Sequence, residues 1–147
     1  MKKILFVTSF NRRIYELSGV RFLYTFLYYK INVDLLITYE GENEFLNNLI
    51  KKYTKIKLYN LNNYDYLNNW LKENENYICE KYGGKYKIYQ FDNDTDIKLL
   101  NSFNQRTPLW FRKIASFKYT LDNYKNDYEN IVWIDADTFY NGFDYLN

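Results

Sequence analysis

The segment Glu129–Asp144, ENIVWIDADTFYNGFD, decides how this chain is read. It runs apolar from Ile131 to Ile134 and then sets Asp135 and Asp137 one residue apart. An apolar run of this kind, NIVWID, predicts a buried strand that ends at its carboxylates. On an extended segment, side chains two apart share a side, so both aspartates face one way and Ala136 the other. Two carboxylates in one dry pocket repel each other, and a divalent cation removes that conflict. The small Ala136 leaves room for a ligand between them. The same residues also suit a plain turn, because aspartate is a common turn former.

Upstream, strand-like and helix-like segments alternate. KILFVT at 3–8 and VDLLITY at 33–39 are continuous apolar runs of strand length, and KIKLYNL at 55–61 alternates as a shorter third strand. Between them, Ile14, Leu17, Phe22, Leu23, Phe26 and Leu27 predict a helix over 14–29. Phe45, Leu46, Leu49 and Ile50 predict another over 43–53. A more polar helix is expected over 63–82, ending at Gly83-Gly84, followed by a short strand KYKIYQF and a loop from Asp92 to Arg106. Thr107 and Pro108 then make an N-cap and first helical position, and Trp110, Ile114, Phe117 and Leu121 form a stripe expected to face the core. Trp110 and Trp133 are both read as core residues. This alternation implies an α/β fold, a Rossmann-like, mostly parallel sheet with helices on both faces. In such sheets ligands bind beyond the carboxyl ends of the strands. TSFN at 8–11 and DADT at 135–138 are the polar tips expected there.

Composition narrows the chemistry. The 147 residues form one domain, and a net charge of +2 gives no strong pull toward nucleic acid or anionic lipid. Eighteen Tyr and eleven Phe, beside many Asn, Lys and Ile, follow the coding bias of AT-rich DNA, so single exposed tyrosines carry little meaning. The absence of histidine excludes a histidine base, triad or metal ligand in this sequence, and leaves oxygen ligands for a metal, hence Mn or Mg rather than Zn. One cysteine, Cys79, allows no internal disulfide and fits a reducing, cytoplasmic setting. Under that setting the glycosylation triplet NDT at 93–95 carries no meaning. The apolar run after the first lysines is too short for a signal peptide, and no window reaches the length of a membrane span.

The block WFRKIASFKYTLDNYKNDYENIVWIDADTFYNGFD, with the opening KILFVTSFN, resembles the nucleotide-binding part of GT-A-fold glycosyltransferases. In that family a helix bearing a basic residue precedes a strand ending in a D-x-D motif. The resemblance implies a metal-dependent glycosyltransferase whose donor is a nucleoside diphosphate sugar, a UDP-linked hexose foremost. Carried over, Asp137 holds the metal that bridges the diphosphate, and Asp135 contacts the ribose or shares the metal. Ala136 lies between them, Thr8, Ser9, Phe10 and Asn11 line the base and ribose, and Lys113 with Arg112 reaches toward the phosphates. Arg112 and Lys113 equally suit a solvated helix face, and Thr8 and Ser9 a loop or helix cap.

The family usually continues well beyond the D-x-D motif, whereas ten residues follow Asp137 here. The resemblance therefore implies a donor-binding part that lacks the acceptor-binding segments, with a C-terminal partner domain supplying them. The acceptor is left open between glycan, protein and lipid. The alternative is a nucleotide-sugar-binding or structural domain without transferase activity. A haloacid-dehalogenase-type phosphatase wants threonine where Phe139 stands, and TSFNRR has no glycine for the phosphate cradle of a sugar nucleotidyltransferase. P-loop and dinucleotide fingerprints are absent from the sequence.

Overall fold

The computed structural model describes residues 3–11, 14–29, 33–41, 44–74 and 107–138. Four strands, β1 (Ile4–Phe10), β2 (Asp34–Tyr39), β3 (Ile56–Asn60) and β4 (Asn130–Trp133), form one parallel sheet in the order β3-β2-β1-β4. The helices are α1 (Val20–Tyr28), α2 (Glu44–Lys52), α3 (Asp65–Glu73) and α4 (Thr107–Tyr124). The expected α/β class and parallel pairing are therefore present. KYKIYQF, the segment 92–106, Cys79 and the NDT triplet lie outside the described residues.

Side-chain alternation along the strands builds a core on each face. Phe6 and Phe10 of β1 with Leu35 and Ile37 of β2 meet Phe22, Leu23 and Phe26 of α1 and Leu46 and Leu49 of α2. On the other face, Leu5, Val7 and Leu36 meet Tyr128, with Tyr119 and Tyr124 of α4 packed against them. Leu5, Val7, Leu35, Leu36 and Ile37 are wholly inaccessible, as strands covered on both faces require. No described helix is long and apolar enough to cross a membrane.

Several expectations are corrected. The helix expected over 14–29 begins with a π-helical segment, Tyr15–Gly19, closed by the Val20 N–H bonding to the Tyr15 carbonyl. The wider turn breaks the 3.6-residue repeat, so Ile14 and Leu17 are exposed while Phe22, Leu23 and Phe26 are buried. The third strand ends at Asn60, whose side chain accepts from the Asn62 N–H and turns the chain into a 3-10 segment carrying buried Leu61. The helix expected to reach 82 ends at Glu73, where the Asn74 amide donates to the Trp70 carbonyl at 2.8 Å.

The largest correction concerns α4. Its expected core stripe faces solvent: Trp110 is 51%, Ile114 53% and Leu121 44% exposed. Its buried side carries Arg112, Ala115, Ser116 and Thr120 instead. Small residues let the helix approach the strands, and the two hydroxyls satisfy themselves on the preceding turn. Ser116 Oγ lies 2.7 Å from the Arg112 carbonyl, and Thr120 Oγ1 donates to the Ser116 carbonyl, also at 2.7 Å. Finally, β4 is not a buried strand. Among the described strands it is an edge, with Val132 40% exposed and Trp133 only half-buried.

Candidate functional site

Parallel pairing brings the carboxyl ends of β1, β2 and β4 to one edge, where Arg112 and Lys113 of α4 reach Glu40 and Asp135. Asp135 and Asp137 follow β4 as expected, but the segment is not extended there. The Thr138 N–H bonds to the Asp135 carbonyl at 3.0 Å, closing a turn, so the same-side argument for two strand residues does not apply. Asp135 and Asp137 are exposed, while Ala136 is buried in the core cluster of Phe6, Phe10 and Phe22.

Asp135 is held from two directions. Its Oδ1 accepts from Trp133 Nε1 at 2.6 Å and from Lys113 Nζ at 3.2 Å. The Lys113 ammonium also lies 4.8 Å from the Trp133 ring centroid, and Phe117 stacks on that ring at 5.7 Å. The Trp133 hydrogen bond above all holds the Asp135 carboxyl below the usual carboxylate range; partial burial opposes it, and Lys113 adds a smaller lowering. The resemblance directs Lys113 toward the phosphates of a nucleotide; in the structure its ammonium contacts Asp135 of the carboxylate turn.

Arg112 points inward and is not on a solvated face. It pairs through Nε with Glu40, the residue following β2, and the two side chains are only 8% and 16% accessible. Sequence reasoning missed Glu40, because an acidic residue followed by glycine after a strand reads as a turn. Gly41 adopts φ +81°, the left-handed region that glycine tolerates, and its carbonyl accepts from Asn60 Nδ2 at 3.0 Å. That turn fixes Glu40 beneath α4.

The TSFN segment is not a loop tip. Thr8, Ser9 and Phe10 all belong to β1, Thr8 is wholly buried, and Phe10 sits in the core against the Tyr15 ring. Asn11, the first residue beyond the strand, caps the next helical segment: its Oδ1 accepts from the Ile14 N–H at 2.9 Å. Ser9, half-buried, and Asn11 are thus the parts of this stretch that keep accessible surface at the edge. On the α4 side, Thr38 Oγ1 lies 3.2 Å from the Thr8 carbonyl and 2.7 Å from Ser116 Oγ. With the Ser116–Arg112 contact, two hydroxyl protons serve three short contacts, so one contact always lacks a proton.

The Thr8 hydroxyl is buried without a hydrogen-bond partner. Such a group costs about 1–3 kcal/mol of desolvation. Thr8→Val keeps the shape and removes that penalty, so it should raise unfolding free energy by about 1 kcal/mol in a urea titration. An unchanged or lower stability would mean that the hydroxyl is satisfied after all.

Asp135 and Asp137, with no histidine in the sequence, make an all-oxygen donor set that suits Mg or Mn when phosphate oxygens and water complete the shell. Among the described residues, no three His, Cys, Asp or Glu side chains come together as a metal-binding group. Beside the two carboxylates, Tyr66, Lys113, Ile114, Phe117, Lys118 and Leu121 line an open, apolar groove of about 460 Å³. The chain matches no family model, no curated protein and no solved structure.

Proposed function

We propose that this chain is a GT-A-like, metal-dependent glycosyltransferase domain that binds a nucleoside diphosphate sugar, UDP-hexose foremost. The observation that carries this reading is the convergence of α4 on the carboxylate turn: Lys113 reaches Asp135 at the carboxyl edge of a parallel sheet, where α/β proteins bind ligands. In the proposed complex Asp137 and Asp135 hold Mn or Mg, which supplies Lewis-acid neutralisation of the diphosphate leaving group. Lys113, released from Asp135, binds the diphosphate oxygens as a second cation. Ser9 and Asn11 contact the ribose, while buried Thr8 and Phe10 shape the floor beneath it and Arg112 stays with Glu40.

The test is a thermal-shift panel of UDP, GDP and CDP, each with and without Mn. Ligand at ~100 times its dissociation constant adds roughly 2.7 kcal/mol of stability. At this chain length that is a rise of several degrees, at roughly 2–4 °C per kcal/mol. A rise with one nucleotide only when Mn is present supports the proposal and names the base. No rise with any of them removes it. Turnover of the donor sugar, assayed separately, distinguishes a transferase from a domain that only binds.

A further inference from the structure

The π-helical segment has an outcome on the surface. By widening one turn, Tyr15–Gly19 leaves Leu17 pointing away from the sheet, 69% exposed. Beyond it, α1 buries Phe22, Leu23 and Phe26 and turns Val20, Tyr24 and Tyr28 outward, at 48%, 66% and 64% exposure. From Leu17 onward these apolar positions recur at helical spacing, so they form one stripe along the helix. The Tyr24 and Tyr28 rings are stacked with centroids 5.9 Å apart, and Tyr29 meets Tyr28 edge-on at 5.1 Å. Rings already held by one another lose little side-chain freedom when a partner packs on them. Monomeric proteins rarely leave so continuous an apolar stripe in water.

Two opposite charges flank the stripe. Glu16 immediately precedes Leu17, Arg21 immediately follows Val20, and both side chains are exposed. Beside a seam that starts at Leu17 and Val20, these are the g and e positions of a heptad. When two such helices lie side by side in the same direction, g of one faces e of the other, so Glu16 meets Arg21 of a second copy and the twofold repeats the contact. In opposite directions g would face g and e would face e, setting like charges together. Glu16 and Arg21 each have an interaction within their own chain, and a carboxylate and a guanidinium both have sites for a second partner. A net charge of +2 sets up little repulsion between copies.

We propose that this face binds a second copy of the chain. Two α1 helices pack in parallel about a twofold axis, with Leu17, Val20 and Tyr24 on the seam and Glu16 of each copy paired with Arg21 of the other. Such an interface closes on itself, so association stops at the dimer. The dimer does not depend on the reading of the carboxylate turn, and Asp137→Ala should form it as the wild type does.

Sedimentation velocity of the full chain, from about 1 to about 500 µM, should show monomer giving way to dimer and nothing larger, a single helix pair being at the low end of interface size. Glu16→Arg and Arg21→Glu should each weaken dimerisation by roughly tenfold or more, since each sets like charges opposite one another twice. Mixed in equal amounts, the two variants should associate as the wild type does, because each supplies the charge that the other needs. Neither variant regains a Glu16–Arg21 pair within its own chain, so recovery in the mixture reports contact between copies. Leu17→Asp should stay monomeric. Because these side chains are exposed, each variant should keep the circular dichroism spectrum of the dilute wild type. A chain that is monomeric throughout the range, a mixture that does not recover, or dimers that survive Leu17→Asp would each overturn the proposal. So would binding to lipid vesicles without self-association, which would assign this face to a membrane.

Discussion

Arg112→Met should lower the stability of this protein by about 3–5 kcal/mol, the cost of leaving one member of a buried ion pair without its partner. Glu40 keeps its carboxylate under α4 and loses the guanidinium that neutralises it. The melting temperature should fall by on the order of 10 °C, given roughly 2–4 °C per kcal/mol at this size. Removing both charges, as Arg112→Met with Glu40→Leu, should recover much of the loss, because apolar replacements of similar volume often match a buried pair. A double-mutant cycle by urea denaturation measures the coupling directly. If Arg112→Met alone costs less than about 1 kcal/mol, the pair behaves as a hydrated surface bridge, and the buried description of this edge fails.

Asp137→Ala should have the opposite profile, with a large effect on ligand and a small one on fold. The Asp137 side chain is exposed, and no hydrogen bond or ion pair is seen for it among the described residues, so its loss should change apo stability by no more than about 0.5 kcal/mol. The Mn-dependent stabilisation by nucleotide, roughly 2.7 kcal/mol at ~100 times the dissociation constant, should disappear. Lys113→Ala should instead reduce nucleotide affinity while leaving its dependence on Mn. Trp133 gives an independent optical readout, since its indole N–H is bonded to Asp135 and any ligand that engages this carboxylate perturbs the ring. Retained Mn-dependent binding in Asp137→Ala would remove the metal role assigned to the turn.

The sequence was most legible where the physics was simplest. β1 and β2 are largely buried, mostly apolar runs, and their pattern identifies them without reference to anything else. The two carboxylates do follow the last strand, but in a turn rather than on the extended segment expected of them. α4 was misread because periodicity weighs apolar side chains, whereas this helix packs through Ala115, Ser116 and Thr120. Those hydroxyls bury at little cost by bonding to their own helix, a compensation that a hydrophobic pattern cannot display. Glu40 was missed for a related reason. A charge after a strand reads as the start of a turn, and only the fold brings it to a partner 72 residues away. Thr8 looked like part of a tip because it is polar, yet the strand continues two residues beyond it.

The sheet order has a consequence for how the chain is made. β1 pairs with β2 through a short connection, but its other side receives β4, which begins 120 residues after β1 ends. During synthesis the first strand therefore leaves the ribosome long before its second neighbour exists. At roughly 5–20 residues per second, that edge waits about 6–24 s for its partner. The β1–β2–β3 unit can assemble in that interval with α1 and α2 on one face, while the Leu5, Val7 and Leu36 face stays open until Tyr128 and α4 arrive. An unpaired, apolar, N-terminal strand is an aggregation hazard for as long as it stays exposed. Slowing translation of the segment between β3 and β4 should therefore lower the soluble yield more than slowing that of the segment between β1 and β3.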